Sequence, residues 1–174
     1  MQAKALGTAA WLAINQGDID RGEVLCQESL SLWQELGDTT GIALSLQQLA
    51  VVTWMRNNPT VARSLMEEAL ARWKEVGDKR HVAWVLAWLA YMASQQGEYA
   101  RALALCEESL VLYWELESKI GIAGSLGRLT EVLYVSHSQR FAGQLALSQG
   151  DTTTARSLFR EIGNREGTAL MMGV

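Results

Sequence analysis

Small and apolar residues recur at i, i+3, i+4 and i+7 along most of the chain. Leu6, Ala9, Ala10 and Ala13 form one such stripe, and Leu25, Cys26, Ser29, Leu30, Leu32 and Trp33 form the next. This spacing predicts amphipathic helices, since positions three and four apart share a face. Gly17 suits the left-handed residue that ends a helix, and Asp18 the cap of the one that follows; Gly37 and Asp38 repeat the pair. Pro59 follows Asn58, in a first helical turn, where its missing N–H removes no hydrogen bond. No alternating strand pattern of any length appears.

The stripes return with a period of forty residues. Gln27-Glu28-Ser29-Leu30 returns as Glu67-Glu68-Ala69-Leu70 and as Glu107-Glu108-Ser109-Leu110. Trp33, Trp73 and Tyr113 share a column, and Gly41-Ile42-Ala43 returns as Gly121-Ile122-Ala123. One register spans three repeats, 3–42, 43–82 and 83–122. Ala10, Ala50 and Ala90 stand opposite Gly22, Ala62 and Ala102, which lets the two helices of a repeat approach closely. One such pair cannot bury its stripe alone and must stack on its neighbours, giving an all-α solenoid.

The helix–turn–helix unit with small residues at these offsets resembles a tetratricopeptide repeat. The columns that carry the resemblance are Leu46, Leu49, Ala50, Ala62 and Ala69, then Leu86, Leu89, Ala90, Gly97, Tyr99 and Ala102. The first repeat departs, with Ala9 for the leucine and Gly22 for the alanine. A period of forty exceeds the usual ~34 and implies longer helices. The phrasing around Glu107 to Leu110, Glu35 to Asp38 and Gly41 to Ala43 is similar to the repeat arms of large bacterial signal-transduction ATPases of the STAND type and related transcriptional regulators. The resemblance implies a right-handed superhelix of antiparallel helix pairs, all-α, with the first helices lining a concave face. The nucleotide-binding module of that family has no counterpart, because the chain contains no G-x-x-x-x-G-K-[ST] loop.

Beyond residue 122 the rhythm breaks, although 1–174 still reads as a single repeat domain. Leu126, Leu129 and Leu133 continue a first helix, but Ser136 to Gln139 stand where a turn is due. Phe141 to Leu147 reads as a further first helix ending at Gly150-Asp151. Residues 123–149 are therefore expected to hold two first-type helices in succession, or one long helix bent near 136–139. Thr154 to Ile162 reads as a shortened second helix. The irregular part closes at 168, and 169–174 start a further repeat.

Charge and chemistry narrow the function. Lys and Arg number 15 against 19 Asp and Glu, a net charge of -4, which disfavours a basic nucleic-acid-binding face. No apolar run approaches the ~18 residues of a membrane span. Met1 to Lys4 lead into no cleavage-like segment, and two cysteines are too few for a disulfide framework, so a cytoplasmic setting is expected. His81 and His137 read as solvated helix-end residues. Cys26 and Cys106 read as buried apolar thiols, Glu67-Glu68 and Glu107-Glu108 as a solvated face, and Ser29 and Ser109 as packing residues. No set of residues supplies nucleophile, base and oxyanion donor, so neither an enzyme nor a metal or organic cofactor is expected.

The seven tryptophans are the remaining feature. Trp33 and Trp73 belong to second helices and are expected to pack between repeats. The others, Trp114 apart, lie on first helices. By the register of the resemblance, the concave lining comprises Lys4, Trp11, Gln47, Val51, Trp54, Trp84, Trp88, Tyr91, Arg128, Glu131 and Tyr134. Aromatic groups give large contact area at modest entropic cost, so this surface suits a protein or peptide partner. The Lys and Asn set with which some tetratricopeptide proteins clamp a terminal carboxylate is not reproduced. Two alternatives stand beside it: a homodimer through open ends or residues 123–149, and a small inducer stacked in the aromatic groove.

Overall fold

The computed structural model describes residues 1–148, with side chains to His137. Seven helices occupy this span: α1 (Gln2–Asn15), α2 (Ile19–Leu36), α3 (Thr39–Met55), α4 (Pro59–Val76), α5 (Lys79–Gln95), α6 (Tyr99–Glu115) and α7 (Lys119–Ser148). The fold is an all-α helical repeat. The segments expected at 154–162 and 169–174 lie outside the described residues.

Six turns separate the helices, one every twenty residues. At each, a left-handed residue is followed by the N-cap of the next helix, with a side-chain hydrogen bond to the backbone at every cap but Glu98. Gly17, Gly37, Asn57, Gly77, Gly97 and Glu117 hold φ of 81°, 66°, 59°, 76°, 77° and 50°. The next N–H reaches back five residues, as in Asp18 N–H to Ala13 O at 3.0 Å and Ser118 N–H to Tyr113 O at 3.0 Å. Helix-terminal carbonyls that would otherwise lack partners are thereby satisfied. Asp38 Oδ1 then accepts the Gly41 N–H at 2.7 Å, and Asn58 caps α4 in front of Pro59. His137 stands where the seventh left-handed residue would fall, and α7 runs through it as one continuous helix of 30 residues.

The second helices bury one stripe each: Gly22, Cys26 and Ser29; Ala62, Met66 and Ala69; Ala102, Cys106 and Ser109. α3 is buried on nearly every face, from Ser45 to Thr53 without a break. It packs on α1, α2 and α4, and so has neighbours on three sides. That explains why Leu46, Leu49, Ala50, Val51 and Val52 put apolar groups on several faces, with Ser45, Gln47, Gln48 and Thr53 buried among them.

The chain divides within α5 into two compact units, Met1–Leu89 and Ala90–Val174. In the first, α1 packs on α2, α2 on α3, α3 on α4, and α1 directly on α3. A Cβ at Gly22 would come within 2.8 Å of the Ile14 side chain and 3.6 Å of the Ala10 carbonyl, so this repeat uses glycine where the next two use alanine. In the second unit α6 packs on α7, and Ala93, Tyr99, Ala102 and Val132 form a core flanked by Leu103, Leu105 and Val135.

Candidate recognition surface

The aromatic column of the second helices proves to be structural. Trp33 lies over Gly41, whose Cβ position is 2.2–2.6 Å from ring atoms; Tyr113 covers Gly121 in the same way. In the middle repeat the glycine becomes His81. Trp73 there stacks on the imidazole at 4.0 Å with an interplanar angle of 11°, and its indole N–H donates to Gln47 Oε1 at 2.9 Å. His81 is therefore not a solvated helix-end residue, as the sequence suggests. It is half-buried, with Nδ1 2.9 Å from Asp78 Oδ2. Burial opposes the Asp78 charge. Hydrogen bonds from the His81 backbone and ring and from the Arg80 N–H outweigh it and hold the carboxyl below its ordinary value.

The first unit holds seven of the expected lining residues. Lys4 is exposed on α1, and Trp11, seven residues further along it, is 41% exposed. Trp54 ends α3 half-buried. Trp84 and Trp88 are half-buried on α5, with ring centroids 5.6 Å apart and tilted by 44°. Gln47 and Val51 depart from expectation, because both are buried. Gln47 spends its carbonyl on Trp73, and Val51 belongs to the apolar girth of α3. The repeat register carries both onto a helix enclosed on three sides, which a single-helix pattern does not reveal.

The second unit holds the other four. Tyr91 is half-buried, and the Arg128 guanidinium lies 5.0 Å above its ring centroid, a cation–π contact. Glu131 is exposed on α7, and Tyr134 is 75% exposed. Arg128, Glu131 and Tyr134 follow at intervals of three along α7, so they share a drifting face.

The two cysteines offer no chemistry. Both are buried thiols that share no disulfide. Burial, helped by the Glu23 carboxylate, pushes Cys26 up to about 12. Burial also raises Cys106, against the pull of Arg128. A buried thiol with a raised pKa is a poor nucleophile.

The sequence pattern puts Ser29 and Ser109 in packing columns but does not show their partners. Ser29 Oγ donates to Ala3 O at 2.9 Å and lies 3.1 Å from Ser45 Oγ; Ser109 and Ser125 pair at 3.2 Å. The middle repeat has Ala69 and Val85 in those columns. The joint change from a hydroxyl pair to an apolar pair was the signal available.

A model of the tetratricopeptide repeat matches residues 2–75 and 43–113. No curated protein matches the chain. Among solved structures, BtubC (BKLC) from P. vanneervenii superposes with a TM-score of 0.67 at 17% identity, over 99% of this chain and 65% of that one. The tetratricopeptide-like repeats of a kinesin light chain from Podosopora anserina give 0.61 at 12%, over 99% of this chain and 93% of that one. The STAND protein with a tetratricopeptide repeat sensor from Pyrococcus horikoshii gives 0.69 at 14%, over 98% of this chain and 26% of that one. This chain thus spans 65% of the first and 26% of the third.

Proposed function

The chain belongs to the tetratricopeptide repeat family, a fold of interaction scaffolds, and on that premise we propose that it is a non-enzymatic recognition module for a peptide or partner domain. The observation that carries this reading is the distribution of aromatic residues. Trp11, Trp54, Trp84 and Trp88 all sit on odd-numbered helices and keep part of their surface accessible, as does Tyr134. The even-numbered helices instead spend Trp33, Trp73 and Tyr113 on internal packing, with Trp114 on α6 the exception at 61% exposed. The odd-numbered helices are the ones expected to line the concave face. Within the second unit, Arg128 is held over Tyr91 as a positioned cation, with Glu131 on the same helix. The setting we favour is the sensor or assembly arm of a bacterial multidomain signalling regulator, a role that the STAND protein's sensor repeats support by likeness of fold.

The test is selection of binding peptides by display on the intact chain, followed by affinity measurement with Trp54→Ala and Tyr91→Ala. At least one substitution should weaken the selected peptides tenfold or more, about 1.4 kcal/mol, with far-ultraviolet circular dichroism unchanged. Full affinity in both variants rejects the aromatic lining.

A further inference from the structure

The forty-residue period makes each repeat a control for the others. Three surface columns carry a larger apolar side chain in the third repeat than in the first two. Ser31 and Ala71 become Val111; Gln34 and Lys74 become Trp114; Thr40 and Arg80 become Ile120. All three replacements are exposed: Val111 by 57%, Trp114 by 61% and Ile120 by 89%. Val111 and Trp114 lie three apart on one face of α6, and Ile120 is the second residue of α7, just beyond the turn. None belongs to the aromatic lining proposed above. Exposed apolar residues concentrated at one place mark an interaction surface far more often than scattered ones do.

A fourth column changes at the same corner. Gly37 and Gly77 hold the left-handed turn in the first two repeats, and Glu117 holds it here at φ 50°. Only glycine takes that conformation without strain; asparagine, as at Asn57, takes it more easily than glutamate. The third repeat therefore accepts backbone strain at this turn and carries an exposed carboxylate there. Glu107 and Glu115 flank Val111 at i−4 and i+4 on α6, Glu108 adjoins Glu107, and Lys119 is the first residue of α7.

We propose that the α6–α7 corner, with Val111, Trp114 and Ile120 at its centre and Glu107, Glu115 and Glu117 at its rim, docks a basic amphipathic segment of a partner protein. The partner's apolar anchors would cover the indole and the two aliphatic side chains, and its Lys and Arg residues would meet the carboxylates. Charge selects this occupant over a second copy of the chain. An isologous dimer would bring one acidic rim against another.

The probe is an 18-residue amphipathic helix of Leu and Lys, with a Leu and Glu peptide of the same pattern as control. The test variant carries Val111→Ala, Trp114→Lys and Ile120→Arg. These are the residues the same fold already bears forty positions upstream, so folding should be retained, which circular dichroism checks. The wild-type chain should bind the Leu and Lys peptide at least tenfold more tightly than the control peptide. The triple variant should lose at least tenfold, while Trp54→Ala should bind the probe as the wild type does. Equal affinity for both peptides, or unchanged affinity in the triple variant, overturns the proposal. Sedimentation without peptide supplies a further arm: a dimer in the wild type that the triple variant abolishes assigns the corner to a second copy and also overturns it. Loss of probe binding in Trp54→Ala alone would place the peptide on the aromatic lining instead.

Discussion

Single positions in this chain are interpretable because each has counterparts forty residues away. A methyl group at Gly41 or Gly121 would enter the ring of Trp33 or Tyr113 at 2.2–2.6 Å. The ring must move, so Gly41→Ala and Gly121→Ala should each destabilise by about 1–3 kcal/mol, the range of overpacked sites. Gly127 on α7 has nothing within 4 Å of its Cβ position. Gly127→Ala should therefore stabilise by about 0.5–1 kcal/mol through helix propensity alone. Urea midpoints at constant m separate the two signs. Asp78 gives a pH signature. Its carboxyl is held below its ordinary value, so the stability it contributes is complete above the unfolded pKa near ~3.9 and is lost as pH falls through the lower folded value. Asp78→Asn keeps a capping side chain but does not titrate. The variant should lose less stability than the wild type between neutral pH and the acid limb, read by thermal melts across pH. The columns of Gly41 and Trp33 were legible in the sequence. The stacking of Trp73 on His81 was not, because a histidine near a helix start looks solvated until the neighbouring helix is in place.

Among the elements, boundaries were the most legible feature. Gly17 with Asp18, Gly37 with Asp38 and Asn58 with Pro59 each marked a turn by a local chemical need that tertiary context did not override. Contacts between elements were less legible, since they depend on which face a helix turns to its neighbour. The hydroxyl pairs show this. Ser29 uses its one proton on Ala3 O, so Ser45 donates to Ser29 across the α2–α3 contact. Ser29→Ala removes the acceptor for a buried hydroxyl and should cost about 1–3 kcal/mol. Ser45→Val leaves the bond from Ser29 to Ala3 intact and should cost less. The double substitution installs the Ala69 and Val85 pair of the middle repeat. Its loss should fall short of the sum of the singles by about 0.5–3 kcal/mol, the coupling of contacting residues. Strict additivity in that double-mutant cycle would mean the two hydroxyls do not act as a pair.

At the scale of the molecule, the repeats were plain in the sequence, but the division inside α5 was not. Val82 to Met92 is an uninterrupted helical pattern with no linker chemistry to mark it. Repeat proteins derive stability from each repeat and its nearest neighbours, so a local lesion should stay local. The two buried cysteines make this measurable, because Cys26 lies in the first unit and Cys106 in the second. Each thiol reacts only when its surroundings open. Labelling followed by mass spectrometry of the separated peptides at low urea therefore reads two local stabilities from one chain. Gly41→Ala should accelerate labelling of Cys26 by roughly 5- to 150-fold, the equivalent of about 1–3 kcal/mol, with a much smaller change at Cys106. Gly121→Ala should reverse that order. If both thiols accelerate equally in either variant, the chain opens as one cooperative block, and a partner bound to either unit would stabilise the whole. If they separate, binding at the aromatic lining of the first unit and at the α6–α7 corner of the second should stabilise each unit in turn, and the same labelling experiment with the Leu and Lys peptide added should protect Cys106 more than Cys26.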